Sequence, residues 1–531
     1  MKVFILGLDG ATFDQLDPLM EKGFLPNIKK IRDNYAYGPL QTIMPPVTGP
    51  AWLALATGLN PGKTGVFDYI NRRTPDSYEM TPVSSRDYKD RAIWHILNKN
   101  GYKVGIFNYP TLLPAPQIDG FVVGGMGAHW GDEEMCYPRE LHQEIRRIAP
   151  DYQVLLNLRN KKYGKNINLF FSDIERILHQ QVEVMKYLIQ NKQWDFFFAV
   201  LSVTDWVQHV VWKDIDETHP LYDSKRSPII KSKYQNFWKE IDLLIGELQQ
   251  ILSQDVIFFI VSDHGFGSLK SVFYPNSWLA KKGWLIKKQG MSLKSFLGNQ
   301  LNIFSESFDN KYTNALVHRL RSKVLKIGSA IDLIDLENSL AYSPEHNTMF
   351  GCINLTARGK TVPGFKEELL NAIKNLPNEI KEIHSIEIIL PEQVYSGERV
   401  NLSPDIFFII NGYESTVEIP FNQKIFVNKP SVLLRTGSHR PQGIFLAKGH
   451  LIKSIKVSPS ILDITPTVLA LFQANLPANL DGKVLTHIFK QQVVDSLKIN
   501  FKSELNEENN TKTTAEELDK MREMLRSLGY L

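Results

Sequence analysis

Cysteine is nearly absent: Cys136 and Cys352 are the two in a chain of 531 residues. That leaves room for at most one disulfide and excludes a disulfide framework. It also excludes a thiolate zinc site. Any metal must then sit among Asp, Glu and His, a ligand set that suits catalytic rather than structural zinc. Long hydrophobic runs are missing too. No apolar stretch approaches the ~20 residues of a membrane-spanning helix, so no transmembrane segment is expected. The first strand begins almost at once, with no cationic stretch, apolar core and cleavage site of a secretory signal, and a cytoplasmic location is expected. An excess of one charge is lacking as well. The 61 basic and 57 acidic residues nearly balance, at a net +4, which argues against a general polyanion binder. No nucleic-acid-binding motif stands out beyond a basic stretch at 318–326.

What the chain does have is a set of apolar runs that end in acidic residues. Val3-Phe4-Ile5-Leu6-Gly7-Leu8 is followed by Asp9. The run from Phe196 to Val203 is followed by Thr204 and Asp205. The stretch from Asp255 to Val261 leads into Ser262-Asp263-His264-Gly265. Continuous apolar runs of this length read as strands buried on both faces, as in a parallel sheet. Ligands of open α/β sheets bind beyond the carboxyl ends of such strands. One aspartate there is an ordinary turn or cap residue. Three far-separated strands aiming carboxylates at one edge, one with a histidine beside it, are better explained as a metal site.

Strand-like runs at 3–8, 103–108, 196–203, 256–262 and 406–410 alternate with helical patterns near 91–99, 165–192, 230–253, 366–375 and 460–472. The alternation predicts an α/β fold with a mainly parallel central sheet flanked by helices. One catalytic domain is expected over residues 1–490. Insertions at about 111–164 and 268–350 would form a cap. Residues 491–531 would be a linker, polar at 505–515, followed by a charged helix from Glu516 to Leu528.

Two further segments carry chemistry. Met44-Pro45-Pro46-Val47-Thr48-Gly49-Pro50 reads as a loop entering a short helix that Gly58 stops. Thr48 then sits at a helix N-terminus, where the dipole favours an alkoxide and a phosphate oxygen. Asp205-Trp206-Val207-Gln208-His209 puts a carboxylate and an imidazole on one helix face. Gly437-Ser438-His439-Arg440-Pro441 reads as a glycine-flanked turn that offers one more histidine.

Taken in order, Asp9, Thr48 in Pro-x-x-Thr-x-Pro, Thr57-Gly58-x-x-Pro61, Asp205-x-x-x-His209, Ser262-Asp263-His264-Gly265 and Gly-x-His439 form a recognisable series. Asp463-Ile464-Thr465-Pro466-Thr467 and Leu480-Asp481-Gly482-Lys483 extend it. The series resembles the alkaline phosphatase superfamily, in its type I phosphodiesterase/nucleotide pyrophosphatase branch, over residues 1 to about 490. The resemblance implies two divalent metal ions, zinc first with manganese as the alternative. Asp205, His209 and His439 would hold one ion. Asp9, Asp263, His264 and the Thr48 oxygen would hold the other. It further implies a small phosphate-ester substrate and a phospho-threonine intermediate on Thr48.

The chain departs from the branch in two places. Thr64 stands where a histidine is frequent, a position that is not a core metal ligand in the branch. Tyr69 stands where well-studied nucleotide pyrophosphatases carry an asparagine that binds a phosphate oxygen, with Asp68 before it and Asn71 close behind. Tyr69 is therefore taken as a substrate contact. Arg440 is a second one, since a guanidinium matches phosphate geometry. The leading expectation is a phosphodiesterase. A phosphomonoesterase or phosphomutase on the same site is the alternative, and a non-catalytic binding protein on this fold is the other. A sulfatase is disfavoured, because Thr48-Gly49-Pro50-Ala51-Trp52 lacks the Cys or Ser and the Arg of that motif. Oligomeric state, including a homo-oligomer, is left open.

Overall fold

The computed structural model describes the chain apart from residues 76, 79, 129–132, 159, 289–329, 347–348, 431–434, 498–499 and 503–531. The polar stretch at 505–515, the helix expected from Glu516 to Leu528 and the basic stretch at 318–326 lie outside the described residues. The chain divides into two compact units. The first comprises Met1–Ser271, Pro391–Ser403 and the described residues from Asn428 on, and the second Val272–Leu390 and Pro404–Val427.

The first unit is built on a nine-stranded sheet. In chain order its strands are β1 (Lys2–Leu8), β2 (Ala36–Gln41), β3 (Val104–Tyr109), β4 (Gly120–Gly124), β5 (Cys136–Tyr137), β6 (Phe196–Leu201), β7 (Val256–Val261), β8 (Gln442–Lys448) and β9 (Ile455–Lys456). They lie side by side as β9-β2-β8-β7-β1-β6-β3-β4-β5. The run from β7 through β4 is parallel, whereas β8 is antiparallel to both its neighbours. Every residue of β3, β6 and β7 is buried, and so is all of β1 after Lys2. That is the pattern of parallel strands covered on both faces. The predicted α/β sheet is therefore present, with an antiparallel strand, β8, inside it. Neither Cys136 nor Cys352 takes part in a disulfide.

Helix α1 (Thr48–Thr57) is buried along its whole length. Its approach to the sheet depends on Gly7 of β1: a Cβ there would lie 2.5 Å from Cη2 of Trp52. The indole fills that space and packs edge-on against Tyr109 and Phe198. Gly58 ends the helix at φ 67°, with its N–H bonded to the carbonyl of Ala54. Helix α2 (Val203–Ile215) follows β6 directly.

The second unit has its own, largely antiparallel sheet, with Gly351–Leu355 and Ile386–Ile389 both paired to Ile406–Ile410. Phe365, Leu369 and Ile373 of the helix Phe365–Lys374 join Ile353, Ile406 and Phe408 in its core. The apolar run at 406–410 is thus a strand as expected, but of this sheet and not of the parallel one. Periodicity alone cannot say which sheet a buried strand joins. Among the described residues no helix is long and apolar enough to cross a membrane.

Candidate active site

Three parallel strands deliver their acids to one edge. Asp9 follows β1, Asp263 and His264 follow β7, and Asp205 lies in the first turn of α2, just beyond β6. The remaining histidine arrives differently from expectation. Gly437–Arg440 is not a turn but a strand, paired antiparallel with Gly265–Ser268 so that Phe266 faces His439 and Gly265 faces Arg440. Backbone pairing with the segment after His264 is what brings a distant histidine to the site.

The six side chains form two groups, Asp205 with His209 and His439, and Asp9 with Asp263 and His264; within each, the candidate ligand atoms lie within 4.8 Å of one another. In the first group Asp205 Oδ1 is 3.4 Å from His209 Nε2 and 3.1 Å from His439 Nε2. In the second, His264 Nε2 is 3.2 Å from Asp263 Oδ2 and 3.5 Å from Asp9 Oδ1. Thr48 Oγ1 lies 3.1 Å from the same His264 Nε2. Val47, not Thr48, occupies the N-cap position of α1. The threonine hydroxyl therefore faces the ligand groups and does not cap its helix.

The hydrogen bonds show what these groups are suited to hold. The Nδ1 of His209, His264 and His439 each face a backbone carbonyl, of Gly437, Gly265 and Pro46, at 2.8, 3.0 and 2.9 Å. A carbonyl can only accept, so each Nδ1 carries the proton and each Nε2 presents a lone pair inward, the arrangement of a metal-ligating histidine. The Nε2 atoms of His209 and His439 are 3.3 Å apart, two lone pairs facing one another. Among the described residues, Asp9 Oδ1 and Asp263 Oδ2 are buried without a hydrogen-bond partner. Such a set of inward acceptors fits a cation in each group.

Burial, and after it the Asp205 carboxylate, pushes Asp9 well above the usual carboxylate range. Burial and then Asp9 do the same to Asp263. Burial pulls His209, His264 and His439 well below the ordinary imidazole value; the charge of Arg435 adds to this at His209 and His439, and the nearness of the His439 ring, which would repel a second protonated imidazole, adds to it at His264. The rings are therefore neutral near pH 7 and available as ligands.

The two expected substrate contacts fare differently. The Tyr69 ring packs beside Gly49, where a Cβ would come within 3.0 Å of Tyr69 Cδ1, so it borders the residue after Thr48. Its hydroxyl is 3.9 Å from Met126 Sδ. Arg440 lies on the face of its strand opposite His439. Its guanidinium crosses Gly267 and donates to the carbonyls of Ser268, Ser438 and His439. The Arg440 side chain thus lies across its strand from the His439 imidazole, although its charge still helps to hold the His439 pKa down.

Sequence reading missed Phe266, whose ring meets both His209 and His439 at centroid distances of 4.8 and 5.4 Å. It missed Arg435, which is 6% exposed and close enough to act on two of the histidines. It also missed Thr204 and Gln208, which flank Asp205 on α2. For the last two, spacing was an available signal, since both lie within one turn of Asp205.

Solved structures show the same fold. Murine ectonucleotide pyrophosphatase / phosphodiesterase 5 is 12% identical, with a TM-score of 0.52 over 92% of this chain and 100% of its own. An inactive form of that murine protein in complex with AMP is 13% identical, with a TM-score of 0.52 over 94% and 100%. Phosphonoacetate hydrolase from Sinorhizobium meliloti 1021, in complex with phosphonoformate, is 12% identical, with a TM-score of 0.52 over 88% and 94%. No curated protein matches by sequence. The family profile of type I phosphodiesterase / nucleotide pyrophosphatase matches residues 3–345, more than half of the chain, and the chain belongs to that family of phosphoric ester hydrolases.

Proposed function

We propose that the chain hydrolyses small phosphodiesters by two successive displacements, with Thr48 as the nucleophile. The observation that carries this reading is the Thr48 hydroxyl, at the N-terminus of α1 and 3.1 Å from His264 Nε2, beside two buried carboxylate–histidine groups. Asp205, His209 and His439 would hold one divalent ion and Asp9, Asp263, His264 and Thr48 the other, zinc by preference and manganese as the alternative. Such a pair of ions supplies the Lewis acidity that lowers the pKa of a hydroxyl and offsets charge on the attacking and leaving oxygens.

Within that frame the protein's own groups have defined work. Thr48 Oγ attacks phosphorus, and the bond to the leaving alcohol breaks. The positive end of α1 favours both the developing alkoxide and the phosphoryl oxygens. Water then attacks the phosphorus of the threonine ester and returns the hydroxyl. Burial of Thr48, at 1% exposure, strengthens each of these electrostatic effects by excluding bulk solvent. Tyr69, beside Gly49, borders the place where the phosphoryl group would sit.

A phosphomonoesterase or phosphomutase on the same site is the alternative, and Arg440, on the face of its strand opposite His439, lends it little support. The test is hydrolysis of bis-p-nitrophenyl phosphate beside p-nitrophenyl phosphate, with Zn²⁺ or Mn²⁺ added and with EDTA as control. Metal-dependent preference for the diester is expected. Preference for the monoester, or activity indifferent to EDTA, would contradict the proposal.

A further inference from the structure

We infer that Thr204 and Gln208 are positioning residues that make helix α2 the common support of both ligand groups; the inference rests on the two-metal reading above. Asp205 and His209 of the first group lie on α2. So do Thr204 and Gln208, and their side chains reach the turn that carries Asp9 of the second group. Thr204 Oγ1 sits 2.7 Å from the carbonyl oxygen of Asp9 and 2.8 Å from that of Leu201. Gln208 Nε2 donates to the carbonyl of Gly10 at 2.8 Å and to that of Thr204 at 3.0 Å. Both residues are fully buried.

The next link is on the other side of the same turn. The Gly10 N–H donates to Asp263 Oδ1 at 3.2 Å. The turn Asp9-Gly10 is therefore gripped at three backbone atoms: two carbonyls by α2, and one N–H by a carboxylate of the second group. Asp263 Oδ2 is left facing His264 at 3.2 Å. A shift of the turn would move Asp9 directly and release Asp263 from the bond that fixes its rotamer. Neither Thr204 nor Gln208 offers an atom to the first group in this arrangement, although they alternate with its ligands along the helix. Removing their hydrogen bonds should then weaken the group they do not belong to by sequence.

The experiment separates the two groups by mutation. In full-length, metal-depleted protein, His264→Ala leaves the first group intact and His439→Ala leaves the second. Zinc is titrated into each background with and without Thr204→Val, which keeps the shape of the side chain and deletes the hydroxyl. Zinc affinity should fall by about ten- to a hundred-fold in the His439→Ala background, as for other groups that orient ligands, and stay constant in the His264→Ala background. Thr204→Ser should restore it. Gln208→Met, which deletes the second donor at similar volume, should repeat the pattern. Equal losses in both backgrounds, no loss in either, or a loss that Thr204→Ser fails to restore would overturn the inference. Absence of zinc binding to the unmutated protein would instead overturn the two-metal reading, and this inference with it.

Discussion

The imidazoles of His264 and His439 stack with their centroids 3.5 Å apart and their planes 18° from parallel. One ring belongs to each ligand group, so the two groups are neighbours sharing a wall. Two neutral rings can stack this closely, whereas two imidazolium ions would repel. Burial keeps both neutral. The stacking therefore joins the adjacency of the two groups to the neutral state in which both rings can act as ligands.

The nucleophile assignment is tested by Thr48→Ala. Turnover of a diester should fall more than about a thousand-fold, as when a nucleophile is removed elsewhere. Zinc content should remain near that of the parent, because three side chains of that group persist. Turnover within ten-fold of the parent would exclude Thr48 as the attacking group.

Replacing His439 by Ala should cost one metal selectively. The count of tightly bound zinc, measured by elemental analysis after dialysis, should drop from two per chain to one. An unchanged count would remove His439 from the ligand set.

Gly7 provides a test of how the helix bearing the nucleophile is seated. A Cβ there would meet Trp52 at 2.5 Å and Val200 at 3.1 Å. Gly7→Val should destabilise the protein by about 1–3 kcal/mol through overpacking, measured by urea denaturation. It should also lower kcat by displacing α1. Unchanged stability would mean that the indole has room the packing does not show.

Arg440→Ala should leave KM for a diester within about two-fold, the range of a substitution that touches no reacting group. A KM raised ten-fold or more would restore Arg440 as a phosphate contact.

How much of this is legible in the sequence depends on the kind of element. Asp9, Asp205, Asp263 and His264 stand out because each follows an uninterrupted apolar strand, and strand ends in a parallel sheet converge by topology. His439 does not stand out in that way. Glycine and proline around it suggest a turn, but the segment is a strand because residues 265–268, more than 160 positions earlier, offer it a partner. The strand Ala36–Gln41 is hidden by Gly38 and Pro39, which read as turn residues. The placement of Arg440 follows a local rule: adjacency in sequence to His439 becomes opposition in a strand. Thr204 and Gln208 look like filler between ligands, and only the hydrogen bonds to the Asp9-Gly10 turn reveal otherwise.

The central claim, attack by Thr48 followed by attack by water, is tested most directly by the stereochemistry at phosphorus. A phosphorothioate diester of defined configuration would be hydrolysed in isotopically labelled water and the product's handedness determined. Two in-line displacements invert the centre twice, so net retention is predicted. Net inversion would mean a single direct attack by water and would contradict the account.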